Sequence, residues 1–172
     1  MRSKLILATA VIGIFGSASS ADPAASKCAE PRFHDFDFWI GEWNVRDADG
    51  KVAGANTISS EANGCVIVER WKSAAGGYGQ SLNYLDAETN RWKQDWVGLG
   101  LVLHMEGEFS NGSIRMEGPL QYVVQKRVTL LRGTWTPLPD GRVRQHFEES
   151  ENDGKSWKTW FDGYYARAKP GP

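Results

Sequence analysis

The chain has 172 residues, 24% of them charged, with 20 basic against 21 acidic side chains. Such a balance, with no basic face, speaks against nucleic-acid binding, and the length fits a single domain. After the first residues no segment is apolar and long enough to cross a bilayer, so stable membrane insertion is not expected.

The N-terminus opens with the basic "MRSK", continues with the 12-residue apolar run "LILATAVIGIFG" and ends in the small residues "SASSA". This pattern predicts a secretory signal peptide over 1–21, cleaved after Ala21, and hence a periplasmic or secreted protein. Lys27, bulky and charged, stands directly before Cys28 and argues against lipidation of that cysteine. Removal of Arg2 and Lys4 with the leader takes the net charge from −1 to about −3. Residues 22–36, beginning "DPAASKCAEPR", read as a polar arm with little structure of its own. Asp35 or Asp37 is placed to cap a single helical turn at its end.

Two cysteines, Cys28 and Cys65, stand 37 positions apart. In an oxidising compartment an even count usually pairs, and loop-closure entropy gives such a bridge at most about 4 kcal/mol. The alternatives are two reactive thiols or half a metal site. Neither finds support nearby, because there is no C-x-x-C and His34, His104 and His146 lie far apart in the chain. A disulfide would tie the arm to the body.

From residue 37 to 169 no amphipathic helix is evident. Instead, turn signals recur at Asp49-Gly50, Asn63-Gly64, Gly76-Gly77, Thr89-Asn90, Asn111-Gly112, Asp140-Gly141 and Asp153-Gly154. Asn-Gly and Asp-Gly supply the positive φ of tight hairpins. The segments between them are rich in Val, Ile, Thr, Trp and Tyr, the mark of antiparallel strands. About ten such strands are expected. A sheet of that size best removes its edges by closing, so the predicted fold is all-β, one up-and-down antiparallel barrel.

Alternation then sorts the faces. Trp39, Gly41, Trp43 and Val45 share one face of the first strand. Trp92, Gln94 and Trp96 oppose Arg91, Lys93 and Asp95. Leu101, Leu103, Met105 and Phe109 oppose His104, Glu106 and Glu108. Val143, Gln145 and Phe147 oppose Arg142, Arg144, His146 and Glu148. Trp157, Phe161, Tyr165 and Arg167 oppose Lys158 and Asp162. Residues 65–72, 79–85 and 127–135 do not alternate cleanly, and their faces stay open.

Gly41-Glu42-Trp43 is a G-x-W at the start of the first strand. Here the chain resembles the calycin barrels, the lipocalins and fatty-acid-binding proteins. The resemblance implies that Trp43 sits at the closed end of the barrel, under an Arg of the last strand. Arg167 matches that position. The ordered series "FDFWIGEWNV … GCVIVERW … GQSLNYLD … RWKQDWVG … DGRVRQHFEES … FDGYY" is similar to a group of exported bacterial proteins of unknown function with calycin-like barrels. That resemblance covers most of the mature chain and brings no activity with it.

Chemistry-bearing motifs are sparse. "SENDGKSW", Ser150 to Trp157, fits an Asp box, which resembles hairpin turns of sialidases and acts locally. "DADGK", Asp47 to Lys51, has the look of a calcium loop but lacks the later Glu, since Asn56 stands at that position; it reads as a hairpin turn. Asn111-Gly112-Ser113 matches a glycosylation sequon and likewise reads as a turn. His104 and His146 fall on the outward face, away from any haem, so no cofactor and no metal is expected. No G-x-S-x-G or H-E-x-x-H appears, and no catalytic residue is assigned. Glu69 and Asp95 would serve a two-carboxylate glycosidase if both faced inward, but alternation puts Asp95 outside.

Trp92, Gln94, Trp96, Met105, Gln145, Phe161 and Tyr165 form the expected ligand wall, apolar with sparse hydrogen-bonding groups. The expected function is non-catalytic binding of a small, largely apolar molecule inside the barrel. The alternatives are a hydrolase acting on glycans or lipids, and a solid barrel filled by its own side chains, serving as a structural or interaction module.

Overall fold

A computed structural model describes residues 28–169. The predicted leader over 1–21 lies outside them. Ten strands follow one another around a closed antiparallel barrel: β1 (Gly41–Asp47), β2 (Val52–Glu61), β3 (Val66–Ser73), β4 (Tyr78–Asp86), β5 (Arg91–Gly98), β6 (Leu101–Ser110), β7 (Ser113–Tyr122), β8 (Arg127–Pro137), β9 (Val143–Ser150) and β10 (Lys158–Arg167). Each strand pairs with its sequence neighbours, and β1 closes the ring on β10 from Trp43↔Arg167 to Asp47↔Gly163. Closure leaves no free edge for another chain to extend.

The turns sit where the chemistry asks for them. Asn111 and Gly112 take φ of 52° and 74° between β6 and β7, the left-handed pair of a two-residue hairpin. Leu99 and Gly100 do the same between β5 and β6, with φ of 54° and 76°, at a position where the sequence offers no Asn or Asp. The Asp47 loop is held by its own side chain, whose Oδ1 accepts from the Asp49 and Lys51 backbone N–H groups. Among the described residues no group of acidic, His or Cys side chains is arranged to hold a metal ion.

The Asp box also acts locally. Ser150 Oγ accepts from Gly154 N at 2.9 Å, Asn152 Oδ1 accepts from Ser156 N at 2.9 Å, and Trp157 Nε1 donates to Gly154 O at 3.0 Å. Ser150 is buried. Ser150→Ala is expected to cost about 1–2 kcal/mol, because Gly154 and Asn152 lose their shared side-chain oxygen; a urea unfolding curve measures it.

One end of the barrel is plugged. The arm forms two 3₁₀ turns, Pro31–His34 and Asp37–Trp39, and pushes Phe36 and Trp39 into the interior, both fully buried. Phe36 stacks on Trp39 at 4.9 Å between ring centres and meets Trp92 and Trp135 edge-on at 5.7 and 5.4 Å. These are favourable aromatic geometries. Cys28 and Cys65 form a disulfide, with Cα atoms 5.1 Å apart, which fastens this arm beside the β2–β3 turn. Neither Asp35 nor Asp37 caps a turn through its side chain; Asp37 instead bonds His34 Nδ1 at 2.7 Å.

Trp39 differs from expectation in its element but not in its destination. The first strand begins only at Gly41, so Trp39 ends a 3₁₀ turn and enters the core from there. Arg167 lies 4.0 Å above the Trp43 ring, as the G-x-W resemblance implies, and donates to Ile40 O at 2.6 Å. The glycine of the motif has a steric cause. A Cβ on Gly41 would stand 1.8 Å from Arg167 Nη1, and its φ is +145°.

One side chain of the expected inner row does not lie there, and another is only partly covered. Phe109 keeps the inward register opposite Ile114 but is 40% exposed at the end of β6. Trp157 lies under Arg132, whose guanidinium is 4.3 Å from the ring centre, on the outer face. A register shift between Thr159 and Phe161 inserts Trp160 as an extra residue and reverses the parity of everything before it. The outer face carries the expected charged rows, with Arg144 held on Asp162 at 2.7 and 2.8 Å, and it also exposes Leu82, Val97 and Val128.

Candidate functional site

The plug fills only one end of the barrel. Above it a cavity of about 250 Å³ extends toward the loops that join β3 to β4, β5 to β6 and β9 to β10. Its wall is mainly aromatic and aliphatic, with Trp71, Trp96, Phe147 and Phe161 as the largest contributors. Glycines fix where these rings lie. A Cβ on Gly79 would stand 2.2 Å from Trp96, one on Gly54 2.6 Å from Trp71, and one on Gly133 2.4 Å from Phe147. The missing side chains are the slots the rings occupy. Leu99 and Trp160, 50% and 39% exposed, form part of the rim.

The floor is polar and internally bonded. Glu69 on β3 points inward and is 4% exposed. Its Oε1 accepts from Asn56 Nδ2 at 2.7 Å and its Oε2 from Ser81 Oγ at 2.8 Å. Asn83 Nδ2 donates to Ser81 Oγ at 2.9 Å, and Gln94 Nε2 donates to Asn83 Oδ1 at 2.8 Å. On the other side Asn56 Nδ2 also reaches Tyr165 Oη at 3.4 Å, and Tyr165 donates to Gln145 Oε1. The network thus runs across β2, β3, β4, β5, β9 and β10, because all these side chains lie in the inward rows of adjacent strands.

Burial pushes the Glu69 carboxyl above its ordinary range, and the bonds from Asn56 and Ser81, which favour the ionised form, only partly oppose it. Burial, and after it the nearby Glu69 charge, raises the Tyr165 phenol well above its usual value of 10.0. Among the described residues Glu69 is the single carboxyl group in the cavity wall. Asp95 is half out in solvent with His104 Nδ1 at 2.6 Å. A two-carboxylate hydrolysis needs a second acid about 5–10 Å from the first, and the wall does not provide one.

Of the residues expected to contact a ligand, Gln94, Trp96, Gln145, Phe161 and Tyr165 line this cavity. Trp92 and Met105 are instead packed into the core, 2% and 3% exposed, with Trp92 against Phe36 in the plug. Trp71, Phe147, Trp160 and Glu69 line the cavity as well and were not in the expected wall. Phe147 could have been added from its place beside Gln145 in an alternating strand. Trp71 and Glu69 fall in β3, where Val68 is buried at 6% on the outward side and the alternation is lost.

A closed ten-strand antiparallel barrel with a plugged end, a G-x-W under an arginine and an interior cavity is consistent with a calycin-like fold. No family model matches the chain, and no curated protein does.

Proposed function

We propose that this protein is an exported, non-catalytic barrel that holds a small, largely apolar molecule in the cavity above its plug. The observation that carries the reading is the cavity itself, about 250 Å³ with Trp71, Trp96, Phe147 and Phe161 around it and Gln94 and Gln145 at its base. An apolar enclosure with a few fixed polar groups is the usual form of a small-molecule site. The volume is just below the roughly 300–1,000 Å³ of common pockets, which favours a compact ligand with one ring or a short chain. Export is supported by the leader pattern and by the Cys28–Cys65 bridge. Among the described residues no helix is long and apolar enough to cross a membrane.

The test is a titration of stripped mature protein with compact aromatic and aliphatic compounds, read by tryptophan emission. A saturable response is expected. Trp71→Ala, at a half-buried position, is expected to raise the Kd about tenfold, the equivalent of about 1.4 kcal/mol, with the circular-dichroism spectrum unchanged. Silence across the whole panel would end the proposal.

A further inference from the structure

We infer that the ligand of this cavity carries a protonated amine on its compact apolar body, and that Glu69 is the group that anchors it. The inference rests on the cavity being a binding site and adds which chemical head it selects.

The charge of the wall favours a cation. Glu69 and Tyr165 are the titratable groups among the lining residues, and among the described residues no Lys, Arg or His lines the cavity. A carboxylate entering there would leave water without meeting a counter-charge and would face an acid. Desolvating an unpaired ion is prohibitive. An ammonium would meet the one group able to become its counter-ion. Such a pair repays its desolvation only if further hydrogen bonds satisfy both ions, and Glu69 already has two from Asn56 and Ser81.

The free lone pairs of the floor favour a donor. A carboxylate offers about four acceptor sites, and two are used. Gln94 donates one of its two Nε2 hydrogens to Asn83, and its Oε1 accepts from no side chain of the floor. Spare acceptor sites on the Glu69 carboxylate, Gln94 Oε1 and Gln145 Oε1, all in the cavity wall, therefore outnumber the spare donors there, which are the second Gln94 Nε2 hydrogen and the Gln145 NH₂. A head that donates several hydrogen bonds complements this floor. The aromatic walls add to the preference, since indole and phenyl faces attract cations within about 6 Å.

Three probes with one body separate the readings: 2-phenylethylamine, 2-phenylethanol and 3-phenylpropionate, each titrated near neutral pH into wild-type protein and Glu69→Gln. The amine is expected to bind wild-type protein at least tenfold more tightly than the carboxylate, with the alcohol between them. In Glu69→Gln the amine is expected to lose its advantage over the alcohol. Carboxylate binding as tight as the amine, or an amine advantage over the alcohol that survives in Glu69→Gln, overturns the inference. The wild-type ranking needs no variant to fold. If the alcohol binds and the amine gains nothing over it, only the choice of head is wrong. If none of the three binds, the inference falls, and the wider panel of compact aromatic and aliphatic compounds decides the binding-site reading separately.

Discussion

Trp43→Ala lowers the unfolding free energy by about 3–5 kcal/mol, the range for deleting a fully buried large aromatic side chain. Trp43 is 1% exposed and three things depend on it. Its ring packs against Tyr165 at 6.2 Å. Its Nε1 donates to the carbonyl of Trp39 at 2.8 Å, and this bond holds the end of the 3₁₀ turn that carries the plug. Its face supports Arg167 at 4.0 Å, which in turn bonds the carbonyl of Ile40. The substitution removes all three together, so the loss belongs at the upper part of the range. Arg167→Ala removes the stacking contact and the Ile40 bond but leaves the buried ring, and about 1–2 kcal/mol is expected there. Urea unfolding of the two single variants and the double variant separates the shared part, because contacting residues are non-additive. A Trp43→Ala loss below about 1.5 kcal/mol would mean that the plug is not held from this point.

The difference between these two substitutions also marks what could be seen without coordinates. The G-x-W and the late arginine are local strings, and their meeting follows once the sheet closes. Strands β5, β6 and β9 could be read face by face because a period of two survives in them. Strand β10 could not be read throughout. The extra residue Trp160 shifts the register, which sends Trp157 to the outer face although its spacing from Phe161 says otherwise. The plug was hidden for a different reason. Phe36 belongs by composition to the polar arm, and its contacts with Trp92 and Trp135 span most of the chain. The cavity depended on register too. Gly79 stands opposite Trp71 and gives room to Trp96 on the other neighbour, and Gly133 stands opposite Phe147. A glycine in a strand signals close approach of something, but which ring fills the gap is fixed only by strand pairing. Glu69 was legible as a candidate acid and not as an inward one, because its strand shows no clean alternation.

Glu69 makes the protein less stable as pH rises, and Glu69→Gln removes that dependence. The sign follows from the position of the proton. Burial holds the folded-state carboxyl above its ordinary value of 4.5, so the folded chain binds this proton more tightly than the unfolded chain does. Below the ordinary value both states are protonated and nothing is lost. As pH climbs past it the unfolded chain releases its proton first, and stability falls until the folded-state group also ionises. Above that point the penalty is constant. The other titratable wall group, Tyr165, stays neutral through this window because its phenol is raised well above 10.0. Surface acids act in the opposite sense. Asp86, lowered to about 2 by the Thr89 backbone and then Lys93, stabilises the fold above its ordinary value and loses that contribution only in strong acid. Such acids are common to both proteins and cancel in the comparison. A glutamine at 69 can accept from Asn56 through Oε1 and donate to Ser81 Oγ, which has a second lone pair free beside its bond from Asn83. The Asn56 and Ser81 links then remain without a charge, while the Ser81 O–H, which donates to Glu69 in the wild-type protein, turns to another acceptor. Melting temperatures between pH 5 and pH 9 are therefore expected to decline more steeply for wild-type protein than for Glu69→Gln, with each kcal/mol of the penalty worth about 2–4 °C in a chain of this size. The variant should melt at or above wild type at the alkaline end. A wild-type curve parallel to that of Glu69→Gln across this range would show that the carboxylate is already comfortable inside the barrel, held by Asn56 and Ser81 strongly enough to offset its loss of water.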